Sequence, residues 1–133
     1  MKPVVLDTTA LLAFCDPDDE QHDNTREALG VCLAAGHPLV VPVSVLAEVL
    51  VGAFRSTPHA VRTVENLVDE LVAEVRAIDR PAGRAAARYR AEFPDLPMGA
   101  AMVFGTAKVI DAEQILTTDP SWHEVDPRVR VLG

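Results

Sequence analysis

Short apolar runs alternate along this chain with longer stretches in which apolar residues recur every three or four positions. Residues 4–6 read as a buried strand, and Thr8 or Thr9 is placed to cap a helix through residues 10–14. The Asp/Pro cluster at 16–19 predicts a turn. The next helix carries Ala28, Leu29, Cys32 and Leu33 on one face, with Gly36 as its stop. Residues 39–41 form a second strand, and Ser44 is the expected N-cap of a helix over residues 45–54. Thr57-Pro58 opens another helix, on which Val61, Val64, Leu67, Val68 and Leu71 make an amphipathic stripe. Residues 75–78 predict a short strand. Asp79 or Arg80, before Pro81, opens a helix that Pro94 stops. Pro97 starts an Ala- and Gly-rich helix that reaches about Val109, and residues 115–117 and 129–132 are the last strands. Buried strands alternating with helices predict a three-layer α/β/α sandwich around a mostly parallel central sheet. With no repeat or linker, residues 1–133 are expected to form one domain.

Composition adds little to this picture, and charge adds more. At 49% hydrophobic and 5% aromatic, the core is expected to be built from Val, Leu and Ala. No apolar stretch is long enough to span a bilayer and no signal-peptide core is visible, so a cytoplasmic location with no membrane partner is expected. Cys15 and Cys32 lack metal-ligand spacing and read as reduced core thiols. The net charge of −8 argues against broad attraction to nucleic acid. The charge is uneven, however. Residues 16–27 hold six acids against Arg26 alone, and residues 76–90 hold five arginines against Asp79 alone. A polyanion would therefore meet a local patch.

Three acids stand where strand ends place chemistry. Asp7 follows the first strand, Glu48 lies in the helix after the second, and Asp119 follows Ile115-Leu116-Thr117-Thr118. In an open parallel sheet, ligands bind beyond the carboxyl ends of the strands, so the three can converge. Like charges in one cleft resist joint ionisation, and a divalent cation removes that cost. Oxygen ligands suit Mg²⁺ or Mn²⁺, which can activate water for attack on phosphorus. Each acid also has an ordinary structural explanation. An Asp after a strand caps helices and forms turns, and a Glu near a helix start suits the dipole. It is their order and attachment to successive strand ends that sets them apart.

These residues resemble the PIN-domain family, specifically the VapC-like toxins of bacterial toxin–antitoxin pairs. The matching stretches are Val4-Val5-Leu6-Asp7-Thr8-Thr9 and Pro42-Val43-Ser44-Val45-Leu46-Ala47-Glu48-Val49. Leu96-Pro97 with the following helix, Ile115-Leu116-Thr117-Thr118-Asp119 and Trp122 complete the set. The resemblance spans essentially the whole chain. It implies a Mg²⁺-dependent (or Mn²⁺-dependent) endoribonuclease, usually a homodimer, inhibited by a cognate antitoxin. It assigns Asp7, Glu48 and Asp119 as catalytic, metal-holding residues, with Thr8 and Thr118 beside them. In the family pattern Leu-Pro is followed after two residues by Asp-Ala. Here that Asp is Ala100, so metal affinity and cleavage are expected to be weakened and Ala100→Asp to raise them. Asp95 precedes the Leu-Pro pair and is not expected to reach the site.

A second feature is the row Arg80, Arg84 and Arg88, spaced to line one helix face. Intramolecular pairing, for example of Arg88 with Glu92 or with the acidic segment at 16–27, is the expected role. A phosphate track for RNA is the sharper alternative. Trp122 is expected to pack over the last strand, and the four histidines show no shared metal spacing. Two rival functions stand beside the nuclease. One is a degenerate PIN domain that only binds RNA or protein. The other is a phosphotransferase with Asp7 as nucleophile, disfavoured because Thr9 stands where a second Asp is wanted and because Lys108 and Asp111 would have to supply the rest.

Overall fold

The computed structural model describes residues 1–133. Five strands, β1 (Val4–Leu6), β2 (Leu39–Pro42), β3 (Glu74–Arg76), β4 (Gln114–Thr117) and β5 (Val129–Val131), form one sheet in the order β3-β2-β1-β4-β5. Every pairing is parallel, so the sheet is wholly and not mostly parallel. Val5 sits level with Val40 on one side and Ile115 on the other. Central position explains why Val4, Val5 and Leu6 form an uninterrupted apolar run: both faces of β1 are covered. At the edge, β3 carries Glu74 and Arg76, joined by an ion pair of 3.5 Å, charges that discourage further strand pairing.

Helices α1 (Thr8–Cys15), α2 (His22–Ala34), α3 (Val43–Phe54), α4 (Pro58–Leu71), α5 (Arg80–Glu92) and α6 (Met98–Val109) cover the sheet in the α/β/α arrangement. A 3₁₀ turn, Pro120–Glu124, precedes β5. The apolar core runs from Val4 to Leu132 and is mostly aliphatic. Its aromatic part is compact: Phe104 meets Trp122 at 4.7 Å and Tyr89 at 5.3 Å between ring centres. Tyr89 donates a 2.6 Å hydrogen bond to Asp126, tying α5 to the C-terminal segment. Burial and the Asp126 carboxylate both push the Tyr89 hydroxyl well above its usual range. Cys15 and Cys32 are free, and burial raises both thiols, Cys15 to about 11.

Several boundaries differ from the sequence expectation, each for a local reason. Asp7, not Thr8 or Thr9, caps α1 by accepting from the Ala10 amide. Ser44 does not cap α3. The chain turns from β2 into the helix at Pro42, leaving the Ser44 hydroxyl buried without a partner. Glu48 consequently lies in the second turn of α3. β3 spans Glu74–Arg76 because its register on β2 ends at the Pro42–Arg76 pair. Asp79 is the cap of α5, and Gly36 takes the left-handed conformation (φ 87°) just beyond α2. At Gly105 a Cβ would come within 2.5 Å of the Ala82 carbonyl, so α5 and α6 approach each other closely only because this residue has no side chain.

Candidate active site

Beyond the carboxyl ends of β1 and β4 lies a cleft of about 600 Å³. Asp7, Glu48 and Asp119 all line it, together with Glu92, Asp95 and Glu124. No lysine, arginine or histidine lines it. Asp95 therefore does reach the cleft, contrary to expectation, because the turn at residues 93–97 folds along its rim.

Asp7 is the fixed point. It is 2% exposed, and both carboxylate oxygens are committed. Oδ1 accepts from the Ala10 amide at 2.7 Å and from Thr9 at 2.8 Å; Oδ2 accepts from Thr117 at 2.6 Å and from Thr9 at 3.0 Å. Burial raises its proton affinity above the ordinary carboxylate value. The Thr117, Ala10 and Thr9 bonds pull the other way, and the charge of Asp119 adds to the rise. The same threonines carry the network to the next strand. Thr117 Oγ1 accepts from the Asp119 amide at 3.0 Å, and Thr9 Oγ1 from the Thr118 amide at 3.0 Å. Thr118 thus contributes its backbone, while Thr9 and Thr117 are the side chains that hold Asp7. Neither was singled out from the sequence. Thr117 closes a buried strand and Thr9 opens a helix, so both read as structural until their hydroxyls are seen to meet the same carboxylate.

Asp119 uses Oδ1 to cap the 3₁₀ turn, accepting from the amide and hydroxyl of Ser121. Glu48 is exposed and is steadied by Thr8, whose hydroxyl donates to Oε2 at 2.8 Å. Its other oxygen lies over Gly99, where a Cβ would stand 2.5 Å away. Next to Gly99 the half-buried Ala100 presents only a methyl group to the cleft.

The donor set limits how a cation could be held. No group of three or more His, Cys, Asp or Glu side chains is arranged to hold a metal ion directly. Asp7 has both oxygens engaged, whereas Glu48 Oε1 and Asp119 Oδ2 have no intramolecular hydrogen bond. One or two carboxylates with several retained waters is a pattern suited to Mg²⁺, so the cleft fits a hydrated ion and not a closed cage. The rival phosphotransferase partners lie elsewhere. Asp111 is paired with Lys2 and Arg128, and Lys108 lines a different groove.

The arginine row also departs from expectation. Arg80, Arg84 and Arg88 are exposed on α5, and none forms an ion pair with Glu92, with the acidic segment or with any other acid. Trp122 lines the cleft as well as packing, tilted, against Phe104.

Comparison with known proteins agrees with this architecture. A sequence model of the PIN domain matches residues 4–127. The chain belongs to the PIN domain family. Solved structures with the same fold include VapBC2 of Rickettsia felis bound to a promoter DNA fragment (12% identity, 98% of each chain, TM-score 0.81). A toxin–antitoxin complex from Klebsiella pneumoniae is similar at 18% identity, with 96% of each chain covered and a TM-score of 0.75. VapC20 of Mycobacterium tuberculosis, a sarcin–ricin loop cleaving toxin, is similar at 15% identity, over 91% of this chain and 93% of that one, with a TM-score of 0.72. No curated protein sequence matches the chain. At these identities the likeness establishes the fold alone. No helix is long and apolar enough to cross a membrane.

Proposed function

We propose that this protein is a VapC-type endoribonuclease, acting as one domain in the cytoplasm under the control of a cognate antitoxin, with cleavage weakened by Ala100. The observation that carries this is the meeting of Asp7, Glu48 and Asp119 in one wholly acidic cleft of a PIN fold. The reaction is hydrolysis of an RNA phosphodiester: water adds to phosphorus and the bond to the leaving oxygen breaks. Glu48 is exposed with Oε1 free of hydrogen bonds, which suits it to take the proton from the attacking water. Asp7 is buried and fully bonded, which suits it to holding the site's shape. Asp119 lines the cleft from beyond the end of β4 with Oδ2 free of hydrogen bonds. A divalent cation, Mg²⁺ or Mn²⁺, resting on Glu48 and Asp119 through retained waters would offset the charge of the cleft and of the scissile phosphate.

The similarity to VapBC structures supports an antitoxin partner. On α3, Val43, Val51 and Phe54 are exposed at helical spacing, and Phe54 is 72% exposed. That row suits either an apolar antitoxin helix or a second copy of the chain in a homodimer.

Purified protein is expected to cut RNA slowly in Mg²⁺. EDTA and Glu48→Gln should abolish cleavage, and Ala100→Asp should raise it about 10–100-fold. Cleavage indifferent to both substitutions would overturn the proposal. The second reading, a PIN domain that binds without cutting, is favoured by the methyl at Ala100 and the lack of a three-carboxylate cluster. Mn²⁺ titration by calorimetry separates the two: binding lost in Glu48→Gln supports the nuclease, and no binding at millimolar Mn²⁺ supports the second.

A further inference from the structure

Beside the acidic cleft runs a second groove, of about 730 Å³, with the opposite charge. Arg80, Arg84 and Arg88 form one wall, and Lys108 of α6 stands on the other. Its floor is apolar, with Ala85, Val109 and Val125 among its lining residues. All four cations are exposed, and none has an acidic partner within ion-pair distance.

Such an arrangement works against the helix that carries it. Arg80 occupies the first position of α5, where the positive end of the helix dipole disfavours a cation. The three arginines repel one another at i, i+4 spacing, and no acid, Glu92 of the same groove included, comes within ion-pair distance of them. A bound polyanion would relieve both. The groove also leads somewhere: Glu92 and Val125 line both it and the acidic cleft, so a chain lying along α5 continues directly to Asp7, Glu48 and Asp119.

We infer that this groove binds a single-stranded RNA segment, its phosphates on Arg80, Arg84 and Arg88, and feeds the strand past Glu92 into the acidic cleft. This deepens the proposed nuclease function, on which the choice of RNA rests. The apolar floor receives sugar and base surfaces, an arrangement that tolerates many sequences, and the arginine wall tracks the backbone.

The test is RNA binding in EDTA, where no cleavage occurs, followed by fluorescence anisotropy across a salt series. For the triple variant Arg80→Ala/Arg84→Ala/Arg88→Ala, affinity at low salt should fall at least about tenfold. The slope of log K against log salt should shrink by about 2, since each phosphate contact on a single strand contributes about 0.7. The corresponding Lys variants should keep the slope, which separates charge from fold. Arg26→Ala/Arg55→Ala, exposed on other elements, should leave it unchanged. An unaltered slope in the triple Ala variant, or equal loss in the control, overturns the inference. So does a polyglutamate peptide of equal charge binding as tightly as the RNA, which would mark a groove for acidic protein. Cleavage is scored separately. A lost slope without any cleavage in the native protein leaves the groove standing and removes the nuclease reading, and the reverse result does the opposite.

Discussion

The two walls of the acidic cleft are built in contrasting ways. On the β1–β4 side the buried carboxylate is fully committed: Asp7 is locked by Thr9, Thr117 and the Ala10 amide, and Thr117 in turn holds the Asp119 backbone, while Asp119 Oδ2 stays free. On the α3–α6 side Glu48 is exposed with one hydroxyl partner, facing a glycine and the methyl of Ala100. The first wall is part of the core and cannot change without cost to folding. The second belongs to the surface, and changes there are free to alter chemistry alone. A substitution on the second wall is therefore expected to leave the fold intact.

Substitutions on the two walls should separate stability from activity. The largest stability effect is expected at Thr117→Val, which removes the shortest hydrogen bond to a buried carboxylate. It should cost about 1–3 kcal/mol in urea unfolding, against under about 0.5 kcal/mol for Thr8→Ala on the exposed wall. Equal losses would erase the contrast.

A smaller effect concerns pH. The Asp7 proton affinity is raised in the folded protein, so the folded state binds the proton more readily than the unfolded chain does. Metal-free protein should thus lose stability as pH rises from about 3.8, the ordinary Asp value, through the raised folded value, and the loss should be complete above it. Asp7→Asn should flatten that dependence in thermal melts, whereas Glu48→Gln should not. Persistence of the slope in Asp7→Asn would assign it to another group.

The smallest stability change is expected at Gly99→Ala. The added methyl meets only the exposed carboxylate end of Glu48, so unfolding should shift by less than about 0.5 kcal/mol while the carboxylate is displaced. RNA cleavage should fall several-fold, and unchanged cleavage would show that Glu48 works from another position. Gly105→Ala is the contrasting case on the same helix, since its methyl meets backbone; a loss of about 1–3 kcal/mol is expected.

The strands were legible because a central parallel sheet demands continuous apolar runs, as at Val4–Leu6 and Leu39–Pro42. That Asp7, Glu48 and Asp119 would line one cleft was legible too, because parallel strand ends lie on one edge, but not that they would stop short of forming one metal-holding cluster. Less legible were features that depend on side-chain direction. Spacing made Ser44 look like a cap, yet Pro42 turns the chain two residues earlier and strands its hydroxyl. Composition suggested that the α5 arginines would find acids, but no acid, not even Glu92 in the same groove, comes within ion-pair distance and the row stays unpaired. Thr9 and Thr117 are far apart in sequence and share a partner only in three dimensions.

The missing side chain at Gly105 sets the gauge of the molecule. With the α5 backbone resting directly on α6, no intervening rotamer can open or narrow the spacing between the helix that carries Arg84 and the helix that carries Lys108. Tuning of this protein toward a different ligand is therefore confined to exchanging the residues along the rails, because the spacing between the rails is set by backbone contact.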